Sequence, residues 1–265
     1  MQPAAERIPA PLLALARRAE EAGLNASTPP QQQRIEGWLI RLSPGKAKRS
    51  RCVNALDEGS LPLDELLRRC AGAFASAGLP LCVRVTPFSR PVDLDAHLAA
   101  QGWSRFDLTD VMVRPRLDDL PEPVLTAGQM IAAVDAPAYA AVVGVLRGSS
   151  RGEIEAHAQR LLESPVPYRG HCLRDAAGAL LACGQFAREG GIVGLYDIFT
   201  PTEQRGRGHA RTLCLALLQR ARAEGAAEAY LQVSSDNLVA QRVYQRLGFE
   251  SAYRYHYRSP LTELR

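Results

Sequence analysis

An apolar strand, a glycine-rich turn and a helix follow one another between residues 194 and 218, and this segment carries the clearest chemical signal. The first turn of a helix has backbone N–H groups without intrahelical partners and lies at the positive end of the helix dipole, so it attracts anions. Glycines let the backbone approach a phosphate closely, and arginines add positive charge. The turn and the start of the helix read Arg205, Gly206, Arg207, Gly208, His209, Ala210 and Arg211. This pattern predicts either an anion site or an ordinary tight connection.

Two familiar phosphate-binding patterns do not describe this turn. A Walker loop needs Gly-Lys-Ser/Thr before its helix, and no such run follows Gly208. A dinucleotide fingerprint needs a third glycine where Arg211 stands. An anion site here must therefore be of another kind.

The spacing Arg205-x-x-Gly208-x-Ala210 resembles the R/Q-x-x-G-x-G/A motif of the GNAT superfamily of N-acetyltransferases. Downstream, residues 230–233 resemble the family's fifth strand, and residues 243–249 are similar to its closing segment A-x-x-x-Y-x-x-x-G-F. The resemblance covers roughly residues 171–258. It implies transfer of an acetyl group from acetyl-CoA to a primary amine of a small molecule or peptide. A non-catalytic regulatory module that binds acyl-CoA is the alternative.

The resemblance also implies where the cofactor lies. Two parallel strands, Ile192–Thr200 and Glu228–Val233, should splay apart and admit the pantetheine arm, much as a sheet accepts an added strand. The pyrophosphate should bind the turn from Arg205 to Arg211, with His209 pointing into solvent. The remaining cofactor contacts should come from Ile198, Phe199, Thr200 and Asn237.

The reaction needs a proton for the departing thiolate, and Tyr244 matches the family's general acid by position. A thiol has a pKa of about 8.5 and a phenol one of about 10, so a phenol can serve this thiolate. A half-buried aromatic on an amphipathic helix is the other interpretation of Tyr244.

The sequence indicates the general base less clearly. The strand that matches the family's fourth strand offers only Asp197 as a candidate. Asp197 either deprotonates an ammonium group or caps a neighbouring element. Strand alternation predicts that its side chain lies on the face opposite Tyr196 and Ile198.

The elements that must position these residues predict an α/β fold of two GNAT-like mixed domains. An acidic, proline-containing linker near residues 116–124 separates residues 1–118 from a catalytic domain of residues 119–265. Each half contains, in order, a helix, a glycine, a strand, a second helix, a glycine-aromatic pair and a final strand, which favours an internal duplication.

The first half lacks the cofactor chemistry. Asp57 and Glu58 stand where its pyrophosphate turn should be and would repel an anion, and Leu98 occupies the place of Tyr244. We therefore expect one cofactor site per chain, with the first half packing beside the acceptor cleft.

Three local interpretations concern the segments around these motifs. Residues 25–33 are predicted to be a loop, and Gln129–Gly144 a helix that continues through Pro137. The basic segment Lys46–Arg51 is predicted to be a solvated hairpin, with a surface that faces substrate as the alternative.

Composition narrows the class of protein. The chain has 265 residues, 46% hydrophobic content and a net charge of +4, which suits a phosphorylated cofactor without indicating nucleic acid. Its six cysteines lack metal-site spacing, so no metal is expected. No signal peptide or membrane-length apolar run is visible. These features predict a cytoplasmic monomer or homodimer with no membrane partner.

Overall fold

The computed structural model describes residues 8–45 and 47–260. The helices are α1 (Leu13–Ala26), α2 (Leu63–Ser76), α3 (Leu94–Ala100), α4 (Ala136–Leu146), α5 (Arg151–Leu162), α6 (His209–Ala223) and α7 (Leu238–Arg246). The strands are β1 (Gln32–Ile35), β2 (Trp38–Arg41), β3 (Val53–Asn54), β4 (Val83–Val85), β5 (Ser104–Arg114), β6 (Met130–Val134), β7 (Tyr168–Arg174), β8 (Leu180–Glu189), β9 (Ile192–Phe199), β10 (Glu228–Ser234) and β11 (Glu250–Ser259). No helix within these residues is long and apolar enough to span a membrane.

The strands of the described residues form a single mixed sheet in the order β1-β2-β3-β4-β11-β5-β10-β9-β8-β7-β6. In this order the last strand of each half pairs with strands of the other half. β5 lies between β10 and β11, and β11 in turn pairs with β4. The sheet is therefore continuous across the two halves, and the division at residue 118 stays a prediction.

The parallel pair β9 and β10 separates partway along its length. The two strands pair from Ile192 opposite Glu228 to Leu195 opposite Leu231. Beyond that point β9 remains paired with β8 as far as Phe199, while β10 follows β5 as far as Ser234. The two strands thus diverge after Leu195, as the resemblance to the GNAT superfamily implies for this pair.

Helices cover both faces of this part of the sheet. On one face α6 and α7 bury a core that includes Leu213, Leu217 and Phe249. On the other face α1 packs against β5, β9 and β11, and α4 packs against β7 and β9. A third core joins α2 and α3 to strands β2 to β4 around Trp38 and Phe74. Burial of these apolar faces stabilises the layers on both sides of the diverging strands.

The repeated order of elements is present in both halves. Helices α2 and α3 with strands β4 and β5 match helices α6 and α7 with strands β10 and β11. The glycine of each glycine-aromatic pair has a positive φ, 79° at Gly102 and 78° at Gly248, as the ends of helices often require. The order is therefore confirmed, and duplication remains its interpretation.

The prediction of a helix over Gln129–Gly144 is wrong at its beginning. Met130–Val134 forms β6, which pairs antiparallel with β7. The helix starts only after Asp135, whose side chain accepts a hydrogen bond from the Ala138 N–H. Pro137 then falls in the first turn, where a missing N–H costs nothing, so it starts the helix instead of interrupting it.

The loop prediction for residues 25–33 is also wrong at both ends. Helix α1 continues to Ala26, and β1 begins at Gln32. Strand β1 is polar and exposed, so its sequence lacks the alternation that marks a half-buried strand. Pairing with β2 at the edge of the sheet is what makes it a strand.

Candidate active site

Helix α6 begins at a turn with free backbone donors. Gly206 and Gly208 have φ values of 78° and 83°, conformations that glycine adopts without strain. Gly208 is the N-cap and provides no side chain to cap the helix. Within the described residues, the four N–H groups from Gly208 to Arg211 donate no hydrogen bond, and the next N–H, of Thr212, bonds to the Gly208 carbonyl. The turn therefore presents four convergent donors at the positive end of a helix.

The arginines of this turn are exposed and form no ion pair among the described residues. Arg205 Nε donates to the Thr200 carbonyl oxygen at 3.3 Å, and Arg207 donates to the Gln204 amide oxygen at 3.3 Å. Burial and the charge of Arg207 lower the pKa of the neighbouring His209. His209 is half-buried, whereas the sequence predicted that it points into solvent. The turn as a whole is a strongly positive surface suited to a polyphosphate.

The free edge of β9 lies directly before this turn. Ile198 packs toward α6, and Phe199 packs on the opposite face with α4. Past Leu195 this edge has no partner strand among the described residues, and the Asp197 carbonyl accepts a hydrogen bond from the Tyr139 hydroxyl at 2.8 Å. An extended ligand can therefore pair with the edge of β9 and reach Thr200 and the turn.

A β-bulge in β9 corrects the predicted direction of Asp197. The residue has a φ of 49°, and the register with β8 shifts between Tyr196 and Phe199. The extra residue of a bulge interrupts strand alternation. As a result Tyr196 and Asp197 both face the side of α1, α4 and α5, while Ile198 faces the opposite side. The prediction that Asp197 lies opposite Tyr196 is wrong, and the prediction that it lies opposite Ile198 is confirmed.

Three side chains surround the Asp197 carboxylate, which is 20% exposed. Arg147 donates to Oδ1 at 2.6 Å and Gln185 donates to Oδ2 at 2.8 Å. His157 Nε2 lies 3.5 Å from Oδ2. Burial opposes ionisation, but the His157 contact and the Arg147 charge outweigh it and hold the pKa of the Asp197 carboxyl well below its usual range. Asp197 is therefore a fixed negative charge at neutral pH.

Sequence reasoning did not find these partners of Asp197. Arg147 follows α4, His157 lies on α5 and Gln185 lies on β8, so no spacing within one element connects them. His157 Nε2 faces the Asp197 carboxylate, so a neutral His157 with its proton on Nε2 would keep Nδ1 as a lone-pair acceptor.

Tyr244 lies on α7, on the other face of the sheet from Asp197. Its side chain is 8% exposed and packs edge-on against Phe249 at 6.2 Å between ring centroids. Its hydroxyl makes no hydrogen bond within residues 8–45 and 47–260, and it is not among the fully buried side-chain atoms that lack a partner. Burial, with a smaller contribution from Cys214, raises the pKa of Tyr244 above its usual range. The group is thus a neutral donor without a protein acceptor.

Asn237 has a structural role at the start of the same helix. Its side-chain oxygen accepts the Ala240 N–H at 3.1 Å and caps α7. The residue is exposed beside the end of β10, so its amide nitrogen remains directed to solvent and available to a ligand.

The basic segment between β2 and β3 differs from the predicted solvated hairpin. Lys46 lies outside the described residues. Lys48–Ser50 forms a short 3-10 helix, and the guanidinium of Arg49 turns inward, 5.7 Å from the centroid of the Tyr196 ring. The loop closes on the face that carries Asp197 because Ser50 donates to the Ser27 carbonyl of α1's C-terminal end at 2.9 Å.

Within the part of the chain that the structure describes, no group of three or more His, Cys, Asp or Glu side chains is arranged to hold a metal ion. The six cysteines are buried and unpaired. Burial raises the pKa values of the Cys183 and Cys214 thiols to about 12, so neither is a thiolate at neutral pH.

Comparisons with known proteins agree with this architecture. A family model described as "Probable histone acetyltransferase Rv0428c C-terminal" matches residues 14–258. The uncharacterized N-acetyltransferase YobR of Bacillus subtilis (strain 168) is 26% identical over 236 residues, which are 86% of this chain and 91% of that protein.

Solved structures share the fold at low sequence identity. A GCN5-related N-acetyltransferase from Kribbella flavida superposes with a TM-score of 0.70 and 19% identity, over 94% of this chain and 96% of that one. A tandem GNAT protein from the clavulanic acid biosynthesis pathway gives a TM-score of 0.59 and 18% identity, over 74% of this chain and 68% of that one. The match of the family model to residues 14–258 leads to one conclusion: the chain belongs to the Rv0428c C-terminal acetyltransferase family, and it shares the fold of GNAT N-acetyltransferases.

Proposed function

We propose that the protein transfers an acetyl group from acetyl-CoA to a primary amine of a small molecule or peptide by direct attack on the thioester. The observation that carries this proposal is the turn before α6. Four backbone N–H groups without partners and three exposed arginines without ion pairs lie in this turn among the described residues. A pyrophosphate with two negative charges satisfies such donors, and the adjoining gap between β9 and β10 suits a long pantetheine arm.

In this proposal the cofactor follows the free edge of β9. The backbone of Ile198, Phe199 and Thr200 binds the pantetheine amides, and residues 205–211 bind the pyrophosphate. Asn237 approaches the cofactor from the β10 side of the gap. The thioester then lies near Leu195, where the strands begin to diverge.

The acid and the base approach the thioester from opposite faces of the sheet. Tyr244 is proposed to protonate the departing thiolate. Asp197, clamped by Arg147 and Gln185, is proposed to orient His157, whose Nδ1 takes the proton of the attacking amine. The amine nitrogen bonds to the carbonyl carbon, the carbon–sulfur bond breaks, and the two protein groups return to their starting states by exchange with solvent.

Direct attack is favoured over a route through a cysteinyl intermediate. With a pKa of about 12, the Cys183 thiol near the gap is protonated in neutral solution and is a weak nucleophile. A neutral amine is itself a good nucleophile. The protein's main tasks are therefore to remove the proton of the ammonium form and to position the amine.

The proposal is tested by calorimetry with acetyl-CoA and by detection of the released thiol with a panel of amines. We expect one acetyl-CoA site per chain and thiol release that depends on the amine. Binding without release on any amine would favour the regulatory-module alternative. Absence of binding would remove the cofactor assignment.

The Asp197 cluster makes a separate prediction. Asp197→Asn should lower kcat and also destabilise the fold by about 1–3 kcal/mol. This loss of stability is smaller than for a fully buried ion pair because Arg147 is 40% exposed and solvent screens its charge. The folded-state pKa of Asp197 is depressed, so its stabilisation is complete above the unfolded value of about 4 and is lost progressively as pH falls from there toward the folded-state pKa. Urea unfolding between pH 3 and pH 7 should show the onset of this loss in the wild type and not in the variant.

His157→Gln is the matched variant because it removes the base and keeps a donor for Asp197. We expect a large loss of kcat with a free energy of unfolding close to that of the wild type. Equal kcat in His157→Gln and wild type would exclude His157 as the base.

A further inference from the structure

The loop between β2 and β3 carries a residue from the first half of the chain into the candidate active site. The loop is tied down on two sides, by Ser50 to the Ser27 carbonyl at 2.9 Å and by an ion pair between Lys48 and Asp107. Between these two attachments, Arg49 points inward toward the sheet.

Arg49 has aromatic neighbours and no anionic partner. Its guanidinium lies 5.7 Å from the centroid of the Tyr196 ring, and Tyr168, Tyr255 and Tyr257 are its other close electrostatic neighbours. Arg49 as a residue is half-buried, and its Nη1 is fully buried and donates no hydrogen bond. No carboxylate forms an ion pair with it among the described residues, in contrast to the buried Arg84, which is paired with Glu20.

Such an arginine is costly unless something else pairs with it. A guanidinium removed from water loses several hydrogen bonds, and aromatic faces replace only part of that loss. A charge that is desolvated without a counter-ion destabilises a fold, so its presence at a functional cleft points to a ligand that supplies the missing charge.

The position of Arg49 connects it to the reaction. Tyr196 is the first residue of β9 beyond the last pair with β10, and its hydroxyl contacts the Tyr230 hydroxyl across the two strands. The next residue is Asp197. Tyr168, whose ring is 5.2 Å from that of Tyr196, also borders this area. Arg49 therefore lies over the point of divergence, on the same face as Asp197 and His157 and away from the positive turn of α6.

We propose that Arg49 binds a carboxylate of the acceptor, so that the substrates are amines that also carry a carboxylate group. This inference rests on the proposed transfer to an amine. A planar guanidinium binds a planar carboxylate through two parallel hydrogen bonds, and one arginine matches one negative charge. The tyrosine rings exclude water from the pair and hold the guanidinium in a fixed orientation.

The test compares acceptors that differ in one group. Each ω-amino carboxylate is paired with its primary amide, and kcat/KM is calculated on the concentration of the unprotonated amine. We expect the wild type to prefer the carboxylate by about 10- to 100-fold, as expected for hydrogen bonds between charged groups. Free amino acids and short acidic peptides are tested as two further groups of acceptors. Their kcat/KM values show whether the carboxylate belongs to a free amino acid or to a peptide.

Substitutions at Arg49 should remove this preference specifically. Arg49→Gln should reduce kcat/KM for the carboxylate to that for the amide and leave the amide rate nearly unchanged. Arg49→Lys should keep part of the preference because it retains the charge without the two-pronged geometry. Arg51→Gln, on the same loop, is the control and should keep the full preference.

Stability supplies a readout independent of activity. Removal of an unpaired desolvated charge should leave the melting temperature of Arg49→Gln unchanged or raise it, whereas removal of a structural arginine would lower it. Calorimetric titration of the CoA-saturated protein with the amino carboxylate should show binding to the wild type and at least tenfold weaker binding to Arg49→Gln.

Several outcomes would overturn the inference. These are equal use of carboxylate and amide by the wild type, an equal loss for both in Arg49→Gln, a lowered melting temperature of that variant, or a preference for a phosphorylated amine. Transfer only to amines that lack a carboxylate would agree with the proposed function and contradict the proposed role of Arg49. Absence of transfer to every amine tested would instead contradict the proposed function itself.

Discussion

Tyr244→Phe is expected to lower kcat by about 10²- to 10⁴-fold, which is the usual contribution of a general acid, while the Kd for acetyl-CoA changes by less than about twofold. The variant keeps the ring that packs against Phe249 and removes only the hydroxyl, which has no partner within the described residues. Single-turnover kinetics and calorimetry with acetyl-CoA measure the two quantities separately.

The environment of Tyr244 explains why its raised pKa is compatible with this role. The same apolar surroundings that raise the pKa of a phenol also raise that of a thiol, so a thiolate leaving at this point becomes a stronger base. The phenol stays protonated up to strongly alkaline pH and is ready to donate in every cycle. A decline of kcat on the acidic side of the pH profile must therefore come from another group.

Tyr253→Phe is the control for Tyr244→Phe. The Tyr253 hydroxyl donates to Glu20 at 2.5 Å in the core beneath α1, so the variant should lose stability and keep kcat. An unchanged kcat in Tyr244→Phe would exclude the acid role. A parallel loss of acetyl-CoA affinity would show that the hydroxyl serves binding instead.

Gly208→Val is expected to weaken acetyl-CoA binding by about 100-fold, the loss expected when one to two charge-assisted hydrogen bonds disappear. Gly208 has a φ of 83°, and a Cβ built there meets no protein atom within 4 Å. The new side chain therefore enters the space above the free N–H groups, where the pyrophosphate is proposed to lie. Isothermal titration with acetyl-CoA measures the loss.

Gly225→Val separates this effect from backbone strain. Gly225 lies just past the other end of α6, has a φ of 102° and also has open space at its Cβ. Both variants should lose about 1–2 kcal/mol of stability from the left-handed conformation, but only Gly208→Val should lose cofactor affinity. Similar acetyl-CoA affinities in the two variants would place the pyrophosphate elsewhere.

The sequence alone determined the features that depend on neighbours along the chain. The turn from Arg205 to Ala210 is one, because its glycines, its arginines and the helix start follow one another in the sequence, and the anion that it is proposed to bind remains a prediction. The order of helices and strands in the two halves is another. Periodicity failed where local patterns compete, as at Met130–Val134, an apolar segment that becomes a strand only through pairing with β7.

Tertiary structure decided which residues meet at the candidate active site. The bulge at Asp197 turns the carboxylate toward His157 and Arg147, which come from two other elements. Arg49 reaches the same face from the first half of the chain, through a loop fixed by α1. These contacts join residues that are between 23 and 147 positions apart, so no spacing in the sequence encodes them. The turn proposed to bind the pyrophosphate was thus readable from the chain itself, whereas the residues proposed for the acceptor side come together only after the sheet has assembled.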